Sequence, residues 1–141
     1  MSVRRYFHDI IQTRTVDGFE ILNLTKSIQI SDLLDDVHTE EYVIKDGDYP
    51  DTLSKQYYND TIFWWVFFLV NNLNDPFYDW PLNYESLKSY FAYLIETGEL
   101  TDTPSNWASL KSANNDKRTI KILKEEYLDE LLFILKERLN G

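Results

Sequence analysis

The strongest constraint on this chain is an unbroken apolar run, Ile62-Phe63-Trp64-Trp65-Val66-Phe67-Phe68-Leu69-Val70. It is far shorter than the ~20 apolar residues that a membrane-spanning helix needs, so protein must cover it. Thr61 can cap a helix ahead of the run and Asn71-Asn72 can end it. The result is a short helix that is apolar nearly all round and needs neighbours on several sides. The aromatic residues gather around it: of 4 Trp, 10 Tyr and 8 Phe, sixteen lie between Tyr42 and Tyr93. The core is therefore expected here, with Leu53, Trp65, Val66 and Leu69 buried together. Phe63, Trp64, Phe67 and Phe68 are expected in the core rather than at a contact surface. A chain of 141 residues is long enough to bury such a core in one domain.

Three stretches separate by pattern. Residues 1–40 alternate short apolar and polar pieces around an Asp17-Gly18 turn signal, which predicts a hairpin or an extended N-terminal arm. In residues 41–98, Tyr42-Val43-Ile44 reads as a strand broken by Lys45-Asp46-Gly47-Asp48. Asp51 or Thr52 is placed to cap a helix running to about Tyr58, and the apolar helix follows. Trp80-Pro81-Leu82 is an extended piece. A further helix starts at Asn83 with Leu87, Tyr90, Phe91 and Leu94 on one stripe and stops near Gly98. Residues 99–141 open with a polar loop from Pro104 to Asp116. A strand over Arg118–Leu123 follows, then a helix from about Glu125 to Leu139. Its acids near the start and bases near the end suit the helix dipole. The fold class is α+β.

Residue chemistry narrows the function. With a formal net charge of −10, the chain has no basic cluster beyond the pairs Arg4-Arg5 and Lys117-Arg118, which argues against nucleic-acid binding. There are no cysteines, so disulfides and thiolate metal sites are excluded. His8 and His38 stand thirty residues apart without partners at ligand spacing, and each reads as a surface or lightly packed residue. No phosphate-cradling glycine motif or nucleophile elbow occurs. Acid pairs such as Asp35-Asp36 and Glu40-Glu41 are ordinary in a chain with 24 acids. No apolar segment follows Arg4-Arg5, so no signal peptide is read and a cytosol-like compartment is expected. The expectation is a structural protein, not an enzyme, with no cofactor, no metal, no membrane and no small-molecule substrate.

Particular residues carry a resemblance. Tyr42-Val43-Ile44, Gly47-Asp48, Asp51-Thr52-Leu53, Tyr57-Tyr58-Asn59, Trp65 and Asn71-Asn72 together resemble a LysM domain, whose pattern is β-α-α-β. A wider match adds Asn74-Asp75-Pro76-Phe77-Tyr78-Asp79-Trp80-Pro81-Leu82, Lys117 to Lys124 followed by Glu126-Tyr127-Leu128, and Arg5-Tyr6-Phe7. This set is similar to the baseplate wedge protein 53 family of contractile-tailed phages. The resemblance implies a LysM-like core with an extended N-terminal arm, an added helix after the core, and a C-terminal strand plus helix. It implies a virion protein, assembled in the host cytoplasm, that joins neighbouring wedge components into a sixfold baseplate ring. The partners it implies are other wedge, hub and tail proteins, reached by the arm and the C-terminal helix.

The interface residues expected on this reading are Phe77, Tyr78, Trp80, Arg5, Tyr6 and Phe7. The alternative is a LysM-type module that binds N-acetylglucosamine glycans by stacking sugars on Tyr49 or Trp80. Two departures favour the baseplate reading. Tyr49-Pro50 is inserted after the Gly-Asp turn, and Trp80-Pro81-Leu82 runs directly into a helix where a LysM domain has its return strand.

Overall fold

In a computed structural model the described residues are 3–12, 35–73 and 79–140, with side chains described over 3–7, 35–73 and 79–138. The elements are α1 (Val3–Gln12), β1 (Thr39–Val43), α2 (Pro50–Tyr58), a 3-10 turn (Thr61–Phe63), α3 (Trp64–Val70), α4 (Tyr84–Glu96), α5 (Pro104–Asp116), β2 (Thr119–Leu123), a second 3-10 turn (Glu125–Tyr127) and α6 (Leu128–Asn140). The chain forms two compact units. The first takes in the described parts of Met1–Glu41, Tyr49–Asn74 and Lys121–Gly141, and the second those of Tyr42–Asp48 and Asp75–Ile120. Both α and β elements are present, as expected.

The sheet has two strands, β1 and β2. The amide of Ile44 donates to the Arg118 carbonyl at one end, and the amide of Lys124 donates to the His38 carbonyl at the other. These crossed partners make the pair antiparallel. The expected strand at Tyr42–Ile44 is thus observed slightly earlier, and its partner is the Arg118–Leu123 segment. Trp80-Pro81-Leu82 belongs to no strand, and Trp80 lies in a bend.

The first unit holds the core that the apolar run demands. Trp65, Val66, Phe67 and Phe68 of α3 are buried together with Leu53 and Tyr58 of α2, Phe63, and Leu128, Leu131, Leu132 and Leu135 of α6. Trp64 and Leu69 are only partly buried. Tyr58 stacks on Phe67 with ring centroids 5.6 Å apart. Its hydroxyl donates to the Leu123 carbonyl at 2.7 Å, and burial pushes its ionisation well above the ordinary tyrosine value.

The helix ends show why the chain turns where it does. The α2 helix begins at Pro50 rather than at Asp51 or Thr52. Proline suits the first helical position, and the Thr52 hydroxyl accepts from the Tyr49 amide at 3.0 Å. Asn59 takes the left-handed conformation at φ 62°, and the Asp60 side chain, not Thr61, caps the next turn by accepting from the Ile62 amide. The hydroxyl of Ser54 donates to the Asp60 carbonyl and accepts from the Phe63 amide, which ties α2 to that turn. Asn71-Asn72 ends α3 as expected. Asn72 is left-handed at φ 54°, and the Asn71 amide group donates to the Phe67 carbonyl at 2.7 Å.

Two expectations need correction. Residues 3–12 are a helix, not an extended arm. Val3, Tyr6, Phe7 and Ile10 stand at helical spacing, and burying Phe7 supplies the packing a short helix lacks in isolation. The Asp17-Gly18 hairpin lies outside the described residues. The expected polar loop Pro104–Asp116 is the helix α5, with Thr103 as N-cap and Pro104 in its first turn. The α4 helix starts and stops as expected, with Asn83 accepting from the Ser86 amide at 2.8 Å and Gly98 closing the end at φ 80°. Of its expected stripe only Leu87 and Leu94 are buried, while Phe91 is half-buried and Tyr90 exposed.

Candidate interaction surface

The two groups of expected interface residues end in different environments. Phe7 is 0% exposed, with its ring centroid 5.8 Å from that of Trp65. Tyr6 packs edge-on to Phe7, and Lys136 of α6 lies over the Tyr6 ring at 4.7 Å. Arg4 donates to Asp129 at 2.7 Å and to Glu125 at 3.1 Å. These contacts seat α1 against α6. The segment expected to reach outward is therefore held on its own unit, and of the triplet only Arg5 is exposed. His38 is partly buried with its ring edge-on to Tyr127 at 4.5 Å, and its Nδ1 lies 2.5 Å from the Asp35 carboxylate. The side chain of His8 lies outside the described set.

In the second unit Trp80 is 5% exposed, and its indole donates to the Asp48 carbonyl at 3.1 Å. Asp48 closes the Gly47 turn: its carboxylate accepts from the Tyr42 hydroxyl at 2.5 Å and from the Lys45 amide at 2.8 Å. Gly47 sits at φ 93°, which explains glycine there. Trp80 thus packs against the turn that the sequence singled out. Phe77 and Tyr78 lie outside the described residues.

Two residues that sequence reasoning passed over organise this unit. Arg118 donates to the carbonyls of Ile44 and Leu82, each at 3.0 Å, and to the Asp46 carboxylate at 2.6 Å. Asn114 accepts from the Leu82 amide at 2.8 Å and donates to the Leu82 carbonyl at 2.9 Å, so its amide group mimics a strand partner. Arg118 was visible only as half of a basic pair, and Asn114 carries no pattern signal. Asn71 repeats the device in the first unit, bonding both the amide and the carbonyl of Lys121.

The Tyr84 amide, and then Arg118, hold the Asp46 carboxyl below the usual aspartate range. A lowered folded pKa means that this contribution is complete above the unfolded value and fades as pH falls through the folded one. As pH falls from about 5 to well below the unfolded aspartate value of ~3.9, wild type is expected to lose its stability advantage over Asp46→Asn. Thermal melts of both proteins across that range check this. A constant difference would place the carboxylate outside the network.

Among the described residues no group of three or more His, Cys, Asp or Glu side chains could hold a metal ion, and no helix is long and apolar enough to cross a membrane. Large side chains do remain on the surface: Val43, Tyr84, Tyr90 and Tyr93 in the second unit, and Val37, Tyr49 and Phe133 in the first. Exposed tyrosines are the composition that protein interfaces favour.

No curated protein and no solved structure matches the chain. A protein-family model described as base plate wedge protein 53 matches residues 9–96, more than half of the 141. The matched span covers β1, the Gly47–Asp48 turn, the apolar α3, Trp80 and α4. The chain belongs to the base plate wedge protein 53 family and is a structural protein of the phage tail baseplate.

Proposed function

We propose that this protein joins neighbouring wedge components into the baseplate ring, working by packing against other baseplate proteins and catalysing no reaction. The family match over residues 9–96 carries this reading. On it, the protein is present in multiple copies in a sixfold assembly, and its partners are other wedge, hub and tail proteins. The order β1, α2, α3 and, much later, β2 supports a LysM-like unit whose return strand follows a long excursion through α4 and α5. Such a unit acts as a rigid peg.

The six expected interface residues divide in this role. Arg5, Phe77 and Tyr78 are proposed to touch partners directly. Phe7 and Trp80 act from within, by fixing α1 and the Gly47–Asp48 turn, and Tyr6 lies between these roles.

The test is infection with phage lacking a functional copy of the gene, examined by electron microscopy of lysates. Unjoined wedges and no complete tails are expected, with tails restored by the full chain supplied from a plasmid. Complete tails without the protein would overturn the joining role.

A further inference from the structure

The second unit carries a groove that the fold does not fill. It lies between α4 and the start of α5, with a volume of 390 Å³, and is lined mainly by Tyr84, Phe91, Ala92, Ile95 and Trp107. The indole of Trp107 is part of its lining. The Phe91 ring tilts against it at 5.3 Å and the Tyr84 ring stands edge-on at 6.1 Å. Tyr84 is 48% exposed, so its ring rims the opening. Rings already fixed in place lose little freedom when a further apolar group enters, which makes such a wall a good anchor site.

Two residues of opposite charge line the groove: Lys88, 5.2 Å over the Tyr84 ring, and Asp102, just ahead of α5. Beyond Ile95 the negative charge accumulates. Glu96, Glu99 and Asp102 are exposed, and α4 has no basic residue in its last turn to offset the partial negative charge of its C-terminus. An apolar groove opening on this negative charge fits a cationic neighbour.

We propose that this groove docks a segment of a partner protein that presents one bulky apolar side chain beside a lysine or arginine. The apolar group enters between Phe91, Ala92 and Trp107, and the cation meets Asp102 and the end of α4. A second copy of this chain fits poorly. Its net charge of −10 makes copies repel, and of its two basic pairs Arg4 and Arg118 are already bound to carboxylates within the chain. The inference rests on the joining role only in placing the partner among baseplate proteins.

Titration of the purified full chain with short synthetic peptides tests the groove by itself. One probe carries a central Phe flanked by Lys, a second the same Phe flanked by Glu, and a third Ala flanked by Lys. Backbone amide NMR shifts are the readout. The Phe–Lys peptide is expected to bind at least about tenfold more tightly than either control, a difference of about 1.4 kcal/mol. The shifts should centre on residues 84–107. Ala92→Arg, at an exposed helical position lining the groove, should abolish binding with the fold intact, and Asp102→Lys should remove the preference for Lys over Glu. Equal binding of all three peptides, no saturable shift, shifts centred elsewhere, or unchanged binding by Ala92→Arg would each overturn the proposal. None of these results bears on whether tails assemble without the protein, so the groove and the joining role fail separately.

Discussion

Replacing Trp65 by alanine is expected to destabilise the protein by about 3–5 kcal/mol, the range for deleting a large aromatic from a packed core. Trp65 is fully buried and sits where α1 and α3 meet, so its loss opens a cavity and removes the surface on which Phe7 rests. A cost of this size is a large fraction of the 5–15 kcal/mol that holds a typical domain together. Urea titration followed by circular dichroism should give a lower midpoint or an insoluble chain. Trp65→Phe separates volume from polarity. Among the described residues the Trp65 indole N–H has no hydrogen-bond partner, and an unsatisfied buried donor costs about 1–3 kcal/mol. Phenylalanine gives up part of the ring volume but relieves that donor, so it should cost much less than alanine. Equal losses for the two variants would mean that the indole N–H is satisfied. An unchanged midpoint for Trp65→Ala would place the core elsewhere.

That core was legible because its signal is hydrophobicity. A nine-residue apolar run flanked by capping residues admits few structures, and Leu53, Trp65 and Val66 are buried as its spacing requires. Leu69, on the same helix, is only partly buried, since a helix this short leaves one face less covered. What escaped notice is held by polar contacts. The α5 helix contains few apolar residues, and the one residue it buries is Asn114, a polar side chain that replaces a strand's hydrogen bonds to Leu82. Periodicity does not register such a residue. Thr103-Pro104 was the available signal, a capping residue followed by proline at a first turn.

The N-terminal segment failed for a different reason. Its helical spacing over Val3, Tyr6, Phe7 and Ile10 was present, but a stripe this short promises little without knowing what it meets. The meeting surface is Trp65, about sixty residues on in the chain, together with the acids of Glu125 and Asp129. Trp80 shows the converse. A turn-rich setting made it look like a contact residue, whereas it is buried and its indole donates to the Asp48 carbonyl. Local pattern finds elements; it does not find their long-range partners.

Substituting Arg118 by methionine should cost about 2–4 kcal/mol, although the residue lies outside the apolar core altogether. Its side chain is only 17% exposed, and three separate backbone or carboxylate oxygens converge on it: Ile44, Leu82 and Asp46. Methionine keeps most of the aliphatic stem, so lost packing is a minor part of the effect. What remains are two carbonyls that lose a charged donor and a carboxylate that loses its cation. Hydrogen bonds to charged groups contribute roughly 1.5–3 kcal/mol each when partly buried, but they are not additive around one centre, which sets the upper bound. Lysine should recover less than half of the loss, because one ammonium group cannot reach in the directions that a planar guanidinium spans. The double variant with Asp46→Asn decides whether the network acts as a unit. Once Arg118 is gone, removing the Asp46 charge should cost little further, so the two losses should sum to less than their separate values. Full additivity would mean that the Arg118–Asp46 pair adds nothing to what Arg118 gains from its other partners. A midpoint unchanged by Arg118→Met would show that water replaces the guanidinium without loss.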